Sequence, residues 1–448
     1  MDNSDISTLR ARVSGPVLVA GDPAFAEEVA AFNTAVANRP ALVVGAQTPA
    51  DVVEAVRFAR AHRLAVAVQS TGHGAELPVD GGLLLSTRRL NDVSVDAAHQ
   101  VAAIGAGARW EAVIAAAAEH GLAPVAGSST TVGVAGYLLG GGLGPLARSH
   151  GFSSDYVVGL TVVTGLGETI EVTAEQHADL FWALRGGKVG LGVVTEVRLR
   201  LVGLPSLYAG SLFFEEAHRE AVLRAWIGWT ATAAPSVTTS LAIVWFPPLE
   251  SIPAPFRGRC LASLRLAFPG ATEEGARLAA PLRAAAPVYL DALGALPLTE
   301  VARIHNDPRE SRPVWSSGSM LTHVDQAFAT ALLATIGAYA RPPFMGVELR
   351  QLGEATKRDV TGGSAVGGRD ASFTLSLFGA DPRVFESELP AAEAKLLDAI
   401  APWVSPELNI NFPPNPRSRA RAARPWSPEV AARLAEIRRR HDPDSLFG

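Results

Sequence analysis

Residues 132–144 read VGVAGYLLGGGLG, six glycines in thirteen positions. Glycine has no Cβ, so a stretch this rich in it lets the backbone approach a ligand closely and turn its N–H groups toward phosphate oxygens. Two further clusters lie in the same half of the chain, QSTGHG at 69–74 and RGGKVGLGVV at 185–194. Each of the three is read as following a strand. One such run is explained as well by a tight turn as by a ligand; three together point to a large phosphate-bearing cofactor.

Around these clusters, residues 40–204 alternate short Val/Leu/Ala runs with helical patterns, as a mixed domain of helices and strands does. PALVVGA is read as a strand. The helix after it opens with Thr48 as N-cap, Pro49 in the first turn and Asp51 where it meets free N–H groups. LAVAVQS is the next strand and ends in the 70–74 turn. GGLLLSTRRL and VAAIGAG are further strands, RWEAVIAAAAEHG is a helix stopped by Gly121, and VVGLTVVTGLGETIEVT is a hairpin turning near Gly165 and Gly167. From about residue 206 the texture changes to strands such as SLYAGSLFF, VTTSLAIVWF, CLASLRLAF, FMGVELRQLG and SFTLSLFG, separated by Ala-rich helices. This predicts a second domain, an antiparallel sheet covered by helices. A Pro-rich stretch then leads to a last helix capped by Ser427 and begun by Pro428. The basic run RSRARAARP before it is read as a solvated surface segment.

The 448 residues exceed what one hydrophobic core usually supports, so two domains are expected. A net charge of -5 gives no reason to seek nucleic acid or anionic lipid. A single cysteine, Cys260, leaves no intrachain disulfide and no Cys-rich metal site, and no metal is expected. The N-terminus does not read as a secretory signal, and no run of about eighteen apolar residues suggests a membrane span. The expected location is the cytoplasm; the oligomeric state is open.

Two nucleotide motifs compete and fail. GAGARW at 105–110 links a strand to a helix but lacks the third glycine and a following acidic residue for the ribose. No Gly-Lys-Ser/Thr follows any of the loops, so there is no P-loop.

Taken together and in order, the segments resemble the FAD-linked oxidases of the vanillyl-alcohol-oxidase type, with PCMH-type FAD-binding domains, and within them the berberine-bridge-enzyme-like group. The Arg-Ser/Gly-Gly-Gly-His loop corresponds to residues 69–73 and the Gly-Val-Gly-Gly-x-x-x-Gly-Gly-Gly-x-Gly run to 133–144. A G-x-x-x-D-N-V element corresponds to 151–157, DLFWALRGG stands intact at 179–187, V-V-T follows at 193–195, and HDPDSLFG closes the chain at 441–448. The resemblance implies an α+β, two-domain fold: an FAD-binding part at 1–205, a substrate-binding part at 206–412 and a return to the FAD-binding part at 413–448.

It also implies roles. His73 would bond covalently to the 8α-methyl of FAD, beside Gln69, Ser70, Thr71, Gly72 and Gly74. Ser128, Ser129, Val132, Gly133, Gly136, Tyr137, Gly140, Gly141, Gly142, Gly144, Val194, Asn409 and Asn411 would meet the cofactor. Ser129 stands where many relatives carry a second, cysteinyl attachment; a hydroxyl is a poor nucleophile, so one covalent link is the upper limit. Val132 fits an oxidase reoxidised by O2. Asn409 replaces the Tyr of a Y-x-N pair and cannot accept a proton with useful basicity. Glu348 falls where some relatives place a catalytic Glu, or is a strand-face charge paired with Arg350. Tyr137 is a second catalytic candidate, or simply packs. Arg185 serves a phosphate or an internal contact, and His305 and His323 are read as structural or exposed. The expected activity is FAD-dependent oxidation of a small alcohol, amine or phenolic molecule, possibly a secondary metabolite, by hydride transfer to flavin N5. The alternatives are a flavin-dependent oxygenase or cyclase, and a flavin-binding protein with lost turnover.

Overall fold

The computed structural model describes residues 2–447 apart from 205, 340 and 418–422. The middle of the basic run, the residue at the expected domain boundary and the final glycine lie outside the described residues. Strands β1 (Val17–Leu18), β2 (Leu42–Gly45), β3 (Val66–Gln69) and β4 (Leu83–Ser86) form a sheet in the order β1-β2-β4-β3. Its β2, β4 and β3 run parallel; β2 and β4 are buried throughout, as suits strands covered on both faces, while β3 leaves Val68 exposed. The crossover helix Pro49–His62 starts at Thr48, whose side chain accepts from Asp51 N while Asp51 accepts from Thr48 N, a reciprocal capping box.

Strands β5 (Val93–Asp96), β6 (Val101–Gly105), β7 (Val157–Val163), β8 (Thr169–Val172) and β9 (Val193–Arg200) make a second, antiparallel sheet in the order β5-β6-β9-β7-β8. The expectation that each glycine cluster follows a strand holds only for the first, which leaves β3. Residues 132–144 contain a short helix, Val134–Leu139, and the third cluster joins the helix Ala178–Leu184 to β9. Leu and Ala in the middle of the glycine run bury against the core and fold it into a helical turn.

The remaining strands are β10 (Ser206–Glu215), β11 (Thr238–Trp245), β12 (Cys260–Phe268), β13 (Leu290–Asp291), β14 (Gly294–Pro297), β15 (Trp315–Leu321), β16 (Gly346–Gln351) and β17 (Phe373–Gly379). They form one eight-stranded sheet, β13-β10-β12-β11-β16-β17-β15, with β14 also on β10, and every pairing is antiparallel. The period of two divides its side chains between faces. Leu212, Leu264, Leu241, Leu349 and Leu375 stand in register on one face and pack with Trp226, Phe328 and Leu389 from the covering helices. The other face carries two polar rows, Ser211-Arg265-Ser240-Arg350-Thr374 and Ser263-Ala242-Glu348-Ser376. This polar face meets Leu143, Gly144, Pro145 and Ala147, at the end of the glycine run.

The C-terminal helix Pro428–His441 returns to the first half of the chain. Arg438 donates to the carbonyls of Gly187 and Val189, and the backbone N of Val66 donates to Leu446 O. Asp442 accepts from the N–H groups of Leu446 and Phe447, which explains the carboxylate in the closing HDP sequence. Among the described residues no helix is long and apolar enough to cross a membrane.

Candidate active site

Between the two smaller sheets runs a cleft of about 520 Å³ lined by Val66, Val68, Ser70, Gly136, Lys188 and Val194 among others. All three glycine clusters reach it. Two of its lining residues, Val68 and Val189, are 46% and 55% exposed, an apolar surface that awaits a cover. A Cβ added at Gly136 would meet nothing within 4 Å, so this position opens onto free space. Ser70 Oγ is buried without a hydrogen-bond partner among the described residues. A dinucleotide with an aromatic ring at each end fits such a cleft.

Three residues beyond Ser70, the same loop carries His73. Its ring lies flat on Phe32, centroids 3.7 Å apart and planes 14° from parallel. Nδ1 is 3.0 Å from Thr71 Oγ1 and Nε2 is 3.1 Å from Thr131 Oγ1. Ser129 Oγ is 3.2 Å from the same Thr131 hydroxyl, so the first and second loops meet through one threonine. Gly72 makes this seat possible: at φ 70° its missing Cβ would lie 2.6 Å from Ala31 Cβ. Burial, aided by the charge of Arg109, lowers the His73 imidazole to about 4, so the ring is neutral at pH 7.

The glycines of the long run divide by purpose. A Cβ at Gly140 would lie 2.0 Å from Asn411 Oδ1, at Gly142 2.3 Å from the Tyr137 ring, and at Gly144 2.0 Å from Ala126 O. Gly133 packs on Ser70 and Thr71, while Gly141, at φ 101°, approaches Asn409 and Phe152. Protein packing demands these five; Gly136 alone of the six faces free space. Asn411 ties the region together, donating to Tyr137 O at 2.8 Å and accepting from Lys188 Nζ at 2.9 Å. Asn409 is fully buried, and its Oδ1 accepts from Asn411 N.

Other expected cofactor contacts have protein partners. Gln69 donates to Ala30 O and accepts from Asn38, Ser128 donates to Asp307 at 2.7 Å, and Val132 packs against the core. Arg185 donates to Gly363 O and lies over the Phe181 ring, an internal contact.

The polar face of the large sheet holds a second cluster. Glu348 accepts from Arg265 at 2.6 Å, Arg350 at 2.8 Å and Ser240 at 3.2 Å, and His305 Nε2 is 3.6 Å away. Burial pushes the Glu348 carboxyl up, but Arg350 and Arg265 outweigh it and hold it below its ordinary range. The His305 side chain is 6% exposed, and neither ring nitrogen has a hydrogen-bond partner among the described residues. Burial and the two guanidiniums keep it neutral. His323, by contrast, is exposed. Tyr137 lies edge-on to Trp110; its buried hydroxyl lacks a hydrogen-bond partner among the described residues, and burial raises it to about 12. Sequence reading missed Phe32, Thr131 and Arg265, none of which carries a local signal. Among the described residues no group of three or more His, Cys, Asp and Glu is placed to hold a metal ion.

Residues 40–173 match the FAD binding domain family. Over 195 residues the chain is 35% identical to the (R)-6-hydroxynicotine oxidase of Paenarthrobacter nicotinovorans, a match covering 43% of each chain. The chain thus spans less than half the length of this curated relative. The fold is similar to that of 6-hydroxy-D-nicotine oxidase from Arthrobacter nicotinovorans, with a TM-score of 0.82 at 24% identity over 97% of this chain and 96% of that one. It is also similar to glucooligosaccharide oxidase from Acremonium strictum, described with a 6-S-cysteinyl, 8α-N1-histidyl FAD, with a TM-score of 0.81 at 19% identity over 100% and 98%. The chain therefore has the α+β, PCMH-type FAD-binding fold, and FAD is its cofactor.

Proposed function

We propose that this chain is an FAD-dependent oxidase of the berberine-bridge-enzyme-like group, with FAD attached by one covalent bond to His73. Residues 1–205 and 413–448 hold the cofactor and 206–412 form the substrate side. The observation that carries the reading is the His73 seat: a neutral imidazole, stacked on Phe32 and addressed at both nitrogens by threonine hydroxyls, on the loop whose Ser70 lines the glycine-rich cleft. A neutral ring keeps the lone pair that bond formation requires. Ser129 beside it offers only a hydroxyl, which limits attachment to one link.

When bound, FAD supplies a two-electron acceptor for a substrate C–H. The chain's own groups then divide the remaining work. The neutral phenol of Tyr137 stays protonated through physiological pH and acts as a hydrogen-bond donor. Glu348 stays ionised and orients Arg350 and Arg265, beside the neutral His305. The substrate is a small alcohol, amine or phenolic molecule and O2 is the final electron acceptor, in keeping with the oxidase names of the relatives.

The test is a substrate panel given anaerobically to the purified yellow protein, followed by air. Bleaching of the flavin by an alcohol, amine or phenol, then recovery with one hydrogen peroxide per turnover, is the expected result. Bleaching with recovery but oxygen incorporated into product favours an oxygenase. Flavin that no panel member reduces speaks for a binding protein.

A further inference from the structure

The loop that opens β9 places a lysine where the backbone favours glycine. Lys188 has φ 58°, in the left-handed region that a side chain enters at a cost, and its neighbours Gly186, Gly190 and Gly192 also have positive φ. The loop is pinned from both sides. Lys188 N and Gly186 N both donate to Leu139 O, and Arg438 grips the carbonyls of Gly187 and Val189. A strained, pinned backbone thus delivers a long cationic side chain into the cleft. Its Nζ donates to Asn411 Oδ1 at 2.9 Å and lies 3.9 Å from where a Cβ on Gly74 would stand. An ammonium has three N–H groups, and Asn411 takes one of them.

Charge decides what the other two are for. Among the residues lining the cleft Lys188 is the only cation and Asp80 the only other charged group; behind the lining the half-buried Glu76, its carboxyl raised to about 7, also attracts the ammonium. The oxidised flavin ring is neutral, whereas the diphosphate of FAD carries two negative charges. We propose that Lys188 is a diphosphate clamp, pairing its ammonium with the FAD phosphates and adding charge to a cradle otherwise made of backbone N–H groups. The proposal rests on the FAD reading of this cleft.

The test uses His73→Ala protein, in which cofactor binding is reversible, stripped of flavin and titrated calorimetrically with FAD, ADP and riboflavin. Adding Lys188→Met should weaken FAD and ADP by about tenfold or more, the usual worth of a charge-assisted phosphate contact, and leave riboflavin unchanged. The salt dependence of FAD binding should become shallower. Lys188→Gly should raise Tm by relieving the left-handed strain while lowering FAD affinity, opposite movements that a merely structural lysine does not give. Unchanged FAD and ADP affinity in Lys188→Met overturns the clamp, as does loss of riboflavin binding with ADP unaffected, which moves the charge to the ring. If His73→Ala protein itself binds neither FAD nor ADP, the FAD reading of the cleft falls and takes the clamp with it.

Discussion

Thr131 Oγ1 lies 3.1 Å from His73 Nε2, although 58 residues separate the two in sequence. This contact joins the loop after β3 to the loop before the helix Val134–Leu139 and fixes the imidazole against Phe32. Thr131→Val removes the hydroxyl and keeps the shape. One hydrogen bond of about 1 kcal/mol holds the ring's orientation, so flavin attachment should slow by roughly fivefold without loss of folding. Time courses of flavin retention after adding FAD to apoprotein measure this.

Attachment should also have a defined pH profile. His73 titrates at about 4, below its ordinary 6.5, because of burial and Arg109. The neutral, nucleophilic form therefore dominates from pH 6 to 8, where the rate should be flat, and is lost as pH falls through about 4. By the same linkage this residue makes the fold less stable as pH drops from 6.5 toward 4. A bell or a step near 6.5 in the attachment rate contradicts the seat described here.

Glu76 gives the opposite sign. Burial raises its carboxyl to about 7 from 4.5, against the pull of Lys188 and Arg417. A raised folded value means stability that is present below pH 4.5 and lost as pH rises through 7. Glu76→Gln should therefore raise Tm at pH 8 and leave it unchanged near pH 4.5, as thermal melts at the two pH values report.

Two alanine substitutions separate packing glycines from the cofactor-facing one. Gly140→Ala forces a methyl against Asn411 and should cost about 1–3 kcal/mol in denaturant titrations. Gly136→Ala, inside a helix and beside open space, should gain about 0.5–1 kcal/mol of stability. The same methyl enters the cleft, so bound flavin per chain should fall.

Glu348→Gln removes the anion between two buried guanidiniums. Breaking a buried pair typically costs about 3 kcal/mol, and chemical denaturation should show a loss of that order. Arg265→Met should cost less, because Arg350 still faces the carboxylate.

Local signals made much of the fold legible. Thr48, Pro49 and Asp51 announce a helix start within four residues, and the apolar run Leu83–Leu85 announces a buried strand. WSSGSML of β15 has no apolar alternation, and only its pairing with β17 and burial of Trp315 make it a strand. The third glycine cluster follows a helix because Leu180, Phe181 and Leu184 are buried, which its glycines do not reveal. At the site, His73 and the glycine runs stood out as residues. The Glu348–Arg350 pair, two residues apart on one strand, was legible, but Arg265 joins it only through the register of β12, β11 and β16, strands distant in sequence, and left no local trace.

The central claim, one covalent FAD on His73, is tested most directly by intact mass and peptide mapping of the purified, acid-precipitated protein. The account predicts a yellow pellet, a mass increased by one FAD less two hydrogens, and the flavin on the peptide containing His73. A colourless pellet with all FAD in the supernatant, or flavin on a peptide lacking His73, would contradict it.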